Sequence, residues 1–292
     1  RQRQMCIRDR NGDDANSGYA PEKAFRSLRK VNQMEIQPGD QILLERGSVF
    51  IGEYLHLYAG GTKEAPVVVD AYGEGGLPRI ETDGNGIWYQ NYGGHLDNVV
   101  HTWKGYLSSA VLLYDAEYIS IRNLEITNNP CVKNERLNQA DRMNRTGVSV
   151  IAKNHGTIHE IELDHLYIHD VEGNIYDKHL NNGGIYMSVS RPDDEEKTGI
   201  ARYDGIHIHH CKVENCRRWG IAAGYTYQHD KFTTLELPDE MVKAYGSTNV
   251  VIEHNFVKDI GGDGITPMYC FEPLIQYNVC LLYTSPSPRD RG

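Results

Sequence analysis

No apolar run in these 292 residues is long enough to cross a bilayer, so a membrane-spanning helix is not expected. A surplus of positive charge is missing too. The formal charge is −10, and because residues 1–10 carry +3 and residues 281–292 carry +1, the body between them carries −14. That balance argues against a nucleic-acid or polyanion binder held by general electrostatics and leaves room only for a local basic patch. Cysteine shows no pairing pattern: Cys6 and Cys280 lie near the ends, and Cys131, Cys211, Cys216 and Cys270 lack the CxxC spacing of a metal site. Cys211 falls beside inward-facing strand positions, where burial as a small hydrophobe is the simpler reading. Amphipathic aromatics, by contrast, are plentiful. Nineteen Tyr and three Trp supply flat faces on which sugar rings stack.

One phrase recurs four times: an alternating apolar strand, a polar turn, then Gly followed by Ile or Val. The strands begin Ile119-Ser120-Ile121, Ile161-Glu162-Leu163, Ile206-His207-Ile208 and Val250-Val251-Ile252. Each reaches a further apolar residue (Ile126, Ile168, Val213, Val257) and is answered by Gly147-Val148, Gly184-Ile185, Gly220-Ile221 or Gly264-Ile265. Units of two strands repeated in tandem bury their apolar faces only against their neighbours, which is how a solenoid forms. The expected fold is all-β, a right-handed single-stranded parallel β-helix. Equivalent strands start 42, 45 and 44 residues apart, so each coil must carry insertions, placed at 130–145, 174–182, 190–204 and 226–248. Such loops on a rigid scaffold are expected to wall a groove. A raw solenoid end needs a cover, and the helical spacing after Pro21 predicts an N-terminal capping helix over residues 21–35.

The ends read differently. RQRQMCIRDR at residues 1–10 and LLYTSPSPRDRG at 281–292 share an Arg-Asp-Arg cluster, lack a strand period and are read as artefactual tails. A single β-helix domain is expected over 11–280, incomplete at its C-terminal edge because Ile275-Gln276-Tyr277-Asn278-Val279 starts another coil. The absence of a signal peptide is given no weight, and an extracellular or periplasmic location is expected.

NGDDANSG, PEKAFRSL and QPGDQILLERGSVF, with the later CRRWGI and GGDGI, resemble the right-handed β-helix proteins of the pectate-lyase-like superfamily. The resemblance implies a secreted bacterial carbohydrate-active enzyme. It supports the fold more than any one reaction. The paired aspartates and the Arg-Ile-Lys tripeptide of polygalacturonases are missing.

Matching positions in neighbouring coils stack about 4.8 Å apart, so aligned repeats double as a distance map. The position before Gly-Ile holds Thr146, Gly183, Trp219 and Asp263, and this variety singles out Asp263 as a catalytic carboxylate, with Trp219 as a sugar platform. The rival reading has Asp263 bonding backbone amides in its Gly-Gly-Asp-Gly turn. Asn128, Asp170, Asn215 and Asp259 form an expected Asx ladder; Asp170 is kept as a catalytic candidate together with Glu172, because Glu172, Asp177 and His179 follow it in one loop. Arg217 and Arg218 either clamp a uronate or pair with a nearby carboxylate, and Tyr186 and Tyr225 complete the expected substrate-binding set. Outward positions Arg122, Asp164, His209 and Glu253 should align as a charge ladder, with a metal at His207, His209 and Asp164 conceivable by spacing but a solvated ladder favoured.

Hydrolysis of a polysaccharide or oligosaccharide by paired carboxyl groups is the leading expectation, without a cofactor. The alternatives are a uronate lyase, which would add Ca2+ and give weight to the arginines, and a non-catalytic glycan-binding stalk. A monomer is expected, with no nucleic-acid partner.

Overall fold

The computed structural model describes residues 3–94, 102–130, 143–177, 179–232 and 237–281. Its strands wind into three sheets, of eight, seven and seven strands, joined by parallel pairing from rung to rung. The first sheet includes Gln41–Glu45, Val67–Tyr72, Ile119–Arg122, Thr157–Asp164, Arg202–His209 and Thr248–Glu253; the second Glu125–Asn128, Tyr167–Val171, Lys212–Cys216 and Phe256–Ile260; the third Lys104–Tyr114, Asn144–Ala152, Gly183–Val189 and Ile221–Thr226. Ile119, Ile161, Ile206 and Val250 stand in one register, as do Ile126, Ile168, Val213 and Val257. Their side chains, with Val148, Ile185 and Ile221, fill one continuous buried core. The chain is thus a parallel β-helix.

Each rung holds three strands, where the repeat suggested two. The first strand breaks at Asn123, His165, His210, His254 and Tyr277, all with φ between 47° and 56°, a left-handed bend that turns the chain sharply between sheets. Alternation of apolar residues carries through that corner, which is why it reads as one strand in the sequence.

Two expectations at the N-terminus are corrected. Gln4–Ile7 is the first strand of the first sheet, pairing with Gln41–Leu44, and Met5, Cys6 and Ile7 are buried; this part of residues 1–10 lies inside the fold. Its flanks are tied by Arg3 to Asp40 and Arg8 to Glu45. The cap over 21–35 is not one helix but a 3-10 turn at Pro21–Lys23 and a short α-helix at Leu28–Asn32. Phe25 separates them because its backbone bonds in extended form to Cys6 and Arg8. Ser27 then caps the helix through Lys30 N–H, while Leu28 and Val31 close the core. Of the expected tail at 281–292, Leu281 ends the strand Val279–Leu281 and the rest lies outside the described residues, as do most of the 130–145 insertion and Cys131. Cys211 and Cys216 are fully buried, and burial pushes the Cys211 thiol up to about 12.

The repeated glycines have a packing cause. A Cβ on Gly184 would lie 2.5 Å from Val213 Cγ1 and 2.6 Å from the Gly220 carbonyl, and one on Gly220 would lie 2.3 Å from the Gly264 carbonyl. Only a residue without a side chain lets the rungs close up here.

The outer face of the third sheet is covered. Ile87–Asn91 pairs antiparallel with the start of Lys104–Tyr114, the one antiparallel pairing among the described strands, and shields part of that face. On the neighbouring strand Leu55–Leu57, buried His56 donates from Nε2 to the Ser109 carbonyl at 2.9 Å, and desolvation pulls its pKa down to about 4. Between pH 6.5 and 4 the unfolded chain takes up a proton that the folded chain refuses, so stability is present above the unfolded value and is lost as pH falls through this window. The expected loss from pH 7 to pH 4.5 is about 2–3 kcal/mol. Urea unfolding at the two pH values measures it, and His56→Gln should flatten that part of the slope.

Candidate active site

Two second-to-third-sheet connections are short, running through 217–220 and 261–264; of the two before them, 129–143 lies mostly outside the described residues and 172–182 is long. This long loop is firmly placed by polar contacts. Gln90 donates to Asn181 Oδ1 and accepts from Asn181 N–H, at 3.0 and 2.9 Å, and Ser188 Oγ donates to the same Asn181 oxygen at 2.7 Å. Tyr92 and Tyr186 both donate their hydroxyls to the His179 carbonyl, at 2.6 and 3.2 Å. A second apolar cluster forms beneath the loop from Tyr92, Leu180, Tyr186, Trp219, Ala222 and Tyr225.

The position before Gly-Ile stacks as the repeat implied: Thr146 pairs with Gly183, and Gly184 and Gly220 bond to the carbonyls of Trp219 and Asp263. Gly183 is demanded by this stacking, since a Cβ there would meet the Trp219 backbone at 2.2 Å. Trp219 is nearly buried, edge-on to Tyr186 at 6.3 Å between ring centroids, with the Arg218 guanidinium 4.6 Å above its ring. Its indole N–H is buried without an acceptor among the described residues. Tyr186 and Tyr225 are not open platforms. Tyr186 is wholly buried and desolvation raises its phenol far above the usual range; Tyr225 packs edge-on between Tyr92 and Tyr269. Exposed aromatics among the described residues instead include Tyr176 in the long loop and the Tyr89–Tyr106 pair on the covering hairpin, 5.0 Å apart. The repeat pattern could not find them because they belong to insertions.

The carboxylates separate by how they are held. Glu172 is buried and spends its charge on Arg217, Nε to Oε2 3.1 Å, while its carbonyl accepts from Arg145 at 2.7 Å. Arg217 is therefore engaged with a neighbouring carboxylate rather than offered to a uronate. Asp170, at φ 51°, accepts from Asn215 Nδ2 at 2.5 Å and has His169 Nδ1 2.7 Å from its other oxygen. Asp177 accepts from Asn144 Nδ2 at 3.0 Å and from the His179 N–H at 3.1 Å, and its charge is felt by the buried Tyr92 and Tyr186. Asp263 is exposed, and its carboxylate has no hydrogen bond among the described residues. The start of its turn nevertheless approaches the long loop: a Cβ at Gly261 would lie 3.4 Å from Ile175 Cδ1.

The expected Asx ladder holds for Asp170, Asn215 and Asp259, all at φ 51–52°. Asn128 is a correction. A bulge after Thr127 moves it into register with Val171, and there it is fully buried, serving Gly84 N–H, Ser108 and the Thr146 carbonyl. The charge ladder Arg122, Asp164, His209, Glu253 is in register as expected. The groups with metal-ligand spacing among the described residues, Glu162 with His207 and His209 and Asp164 with His165 and His210, lie on that outer face of the first sheet and its corner, away from the long loop.

The chain is thus a parallel β-helix with amide-held carboxylates on and beside its long loop and a buried aromatic cluster beneath that loop. No family model matches the chain. It is similar to the lacto-N-biosidase of Bifidobacterium longum subsp. longum, 40% identical over 305 residues that cover 92% of this chain and 19% of that protein. Among solved structures it is similar to the GH136 lacto-N-biosidase from Eubacterium ramulus: the selenomethionine form has a TM-score of 0.93 at 51% identity, over 99% of this chain and 48% of that one. The native form has a TM-score of 0.93 at 53% identity, over 94% and 44%. The chain thus spans less than half the length of the relatives it matches. No helix among the described residues is long and apolar enough to cross a membrane.

Proposed function

We propose that this chain is the β-helix portion of a glycoside hydrolase with the activity its relatives are named for, cleavage of a lacto-N-bioside from an oligosaccharide, with Asp170 and Asp177 as its working carboxylates. The observation that carries the reading is the pair of amide-anchored carboxylates, Asp170 near the end of the strand Tyr167–Val171 and Asp177 in the loop that follows it, in a chain whose fold matches a solved lacto-N-biosidase at a TM-score of 0.93. Glycoside hydrolysis needs two carboxyl groups, one giving a proton to the leaving oxygen and one acting as nucleophile or as base toward water. Such groups must be held in place by neighbours, as Asn215 holds Asp170 and Asn144 holds Asp177. Asp263, with nothing among the described residues fixing its carboxylate, is better suited to binding a sugar hydroxyl than to catalysis. Trp219 holds a buried N–H donor beneath the long loop, and Tyr176 offers an exposed ring on it.

A body charge of −14 suits a neutral oligosaccharide rather than a polyuronate, and with Arg217 paired to Glu172 and Arg218 lying over Trp219 the lyase reading loses support at both of its arginines. A monomer acting outside the cytoplasm, with no nucleic-acid partner, goes with this reading. The test is release of p-nitrophenol from p-nitrophenyl lacto-N-bioside by the protein carrying this chain. Release without new ultraviolet absorbance supports hydrolysis; a rise at the enol-ether band on uronate glycans would replace it with a lyase, and binding of glycans without cleavage would replace it with a glycan-binding stalk.

A further inference from the structure

The outer face of the first sheet carries a constellation that the sugar chemistry does not use. We propose that Glu162, His207 and His209 form a binding site for a divalent transition-metal ion, Zn2+ by its ligand chemistry, which clips two successive rungs of the β-helix together. His207 and His209 lie two residues apart on Arg202–His209 and so project from the same face, and parallel pairing sets His207 beside Glu162 on Thr157–Asp164. One ligand atom from each of the three residues lies within 4.8 Å of the others. His209 Nε2 is 3.2 Å from Glu162 Oε1, close to the edge of about 3.3 Å that bonds of about 2.0–2.1 Å give a tetrahedral ion. Two imidazoles and a carboxylate leave a fourth position for water.

The surroundings are those of ligands held in place. Metal-bound imidazoles usually give their other nitrogen to a carboxylate, which fixes ring orientation and raises ligand basicity. His209 Nδ1 stands 3.1 Å from Asp164 Oδ1, and His207 Nε2 is 3.0 Å from Glu253 Oε1. The second oxygen of Glu162 accepts from Ser120 Oγ at 2.5 Å. The two rings are stacked, with centroids 3.9 Å apart and planes at 22°, so one of them turns about its Cβ–Cγ bond when both in-plane lone pairs meet one ion. His207 and Glu162 are about two-fifths exposed, so an ion enters from solvent without opening the core. The adjoining corner is a separate structure: His165, His210, His254 and Tyr277 stack ring on ring at 4.8, 5.2 and 5.0 Å, one per rung. That ladder needs no ion to explain it, because the rings occupy matching bends.

The experiment uses the chelator-treated protein and Co2+ as a spectroscopic stand-in for Zn2+. One equivalent of Co2+ should develop the intense visible absorption of a four-coordinate ion, and Zn2+ should bleach it. Zn2+ at a hundred times its dissociation constant should raise the unfolding midpoint by about 5 °C. Glu162→Gln and His209→Gln should each weaken Co2+ binding at least tenfold, whereas His254→Gln in the stacked ladder should not. Wild-type protein that gains neither colour nor thermal shift would overturn the site regardless of how the variants fold. So would Co2+ binding that survives His209→Gln but is lost in His165→Gln, which would move the ion to the corner group. These readouts do not depend on glycan cleavage.

Discussion

Asp177→Asn and Asp170→Asn are each expected to lower kcat/KM for a lacto-N-bioside by at least a thousandfold while leaving the unfolding midpoint within about 2 °C of the parent. The kinetic size follows from what the groups do. A carboxamide neither ionises nor gives up a proton to a leaving oxygen, so the transition state loses either its acid or its nucleophile. The small effect on stability follows from the hydrogen bonds: Asn144 and Asn215 each donate one amide N–H that an Asn side-chain carbonyl still accepts, and the bond lost at position 177, from the His179 N–H to the other oxygen, is worth about 1 kcal/mol, about 2 °C in a chain of this size. Asp263→Asn should change kcat/KM by about threefold or less, because nothing in its turn holds that carboxylate in one geometry. Azide added to the Asp→Gly variants should restore turnover to the one that has lost the nucleophile or base and leave the other slow, which divides the two roles. Full activity in Asp177→Asn would remove the long loop from the mechanism. A collapse confined to Asp263→Asn would return catalysis to the turn at Gly261–Gly264.

Gly184→Ala should destabilise the fold by about 3 kcal/mol, and Gly220→Ala by a similar amount. Each added methyl would press against the carbonyl of the glycine one rung on and against a valine of the second sheet. Neither neighbour can yield, since the carbonyl is fixed in the parallel ladder and Val213 and Val257 are fully buried. The double variant should cost less than twice the single one, because the first displacement spreads the rungs that the second also needs apart. Urea midpoints read at constant m measure all three. A cost below about 0.5 kcal/mol for Gly184→Ala would mean the repeated glycines are not there for close approach.

The sequence alone carried the β-helix, the stacking of Thr146, Gly183, Trp219 and Asp263, the charge ladder from Arg122 to Glu253 and the burial of Cys211. All depend on local alternation copied from rung to rung, and parallel register places copies side by side. It overlooked the corner at His165, His210 and His254, because a left-handed residue between two apolar strands leaves no mark in an apolar count. It misread Asn128, whose bulge is decided by the buried acceptors around it. It assigned Tyr186 and Tyr225 to the substrate, although the chain folds a loop and a hairpin over them.

What the residues determine by themselves is periodic: where strands lie, which faces turn inward and which positions stack, since each follows from spacing along the chain. What only the tertiary structure decided is which carboxylates are held and which aromatics are covered. Those depend on insertions that have no repeat to align them, so Asn144 reaches Asp177, and Arg217 reaches Glu172, only once neighbouring rungs have closed.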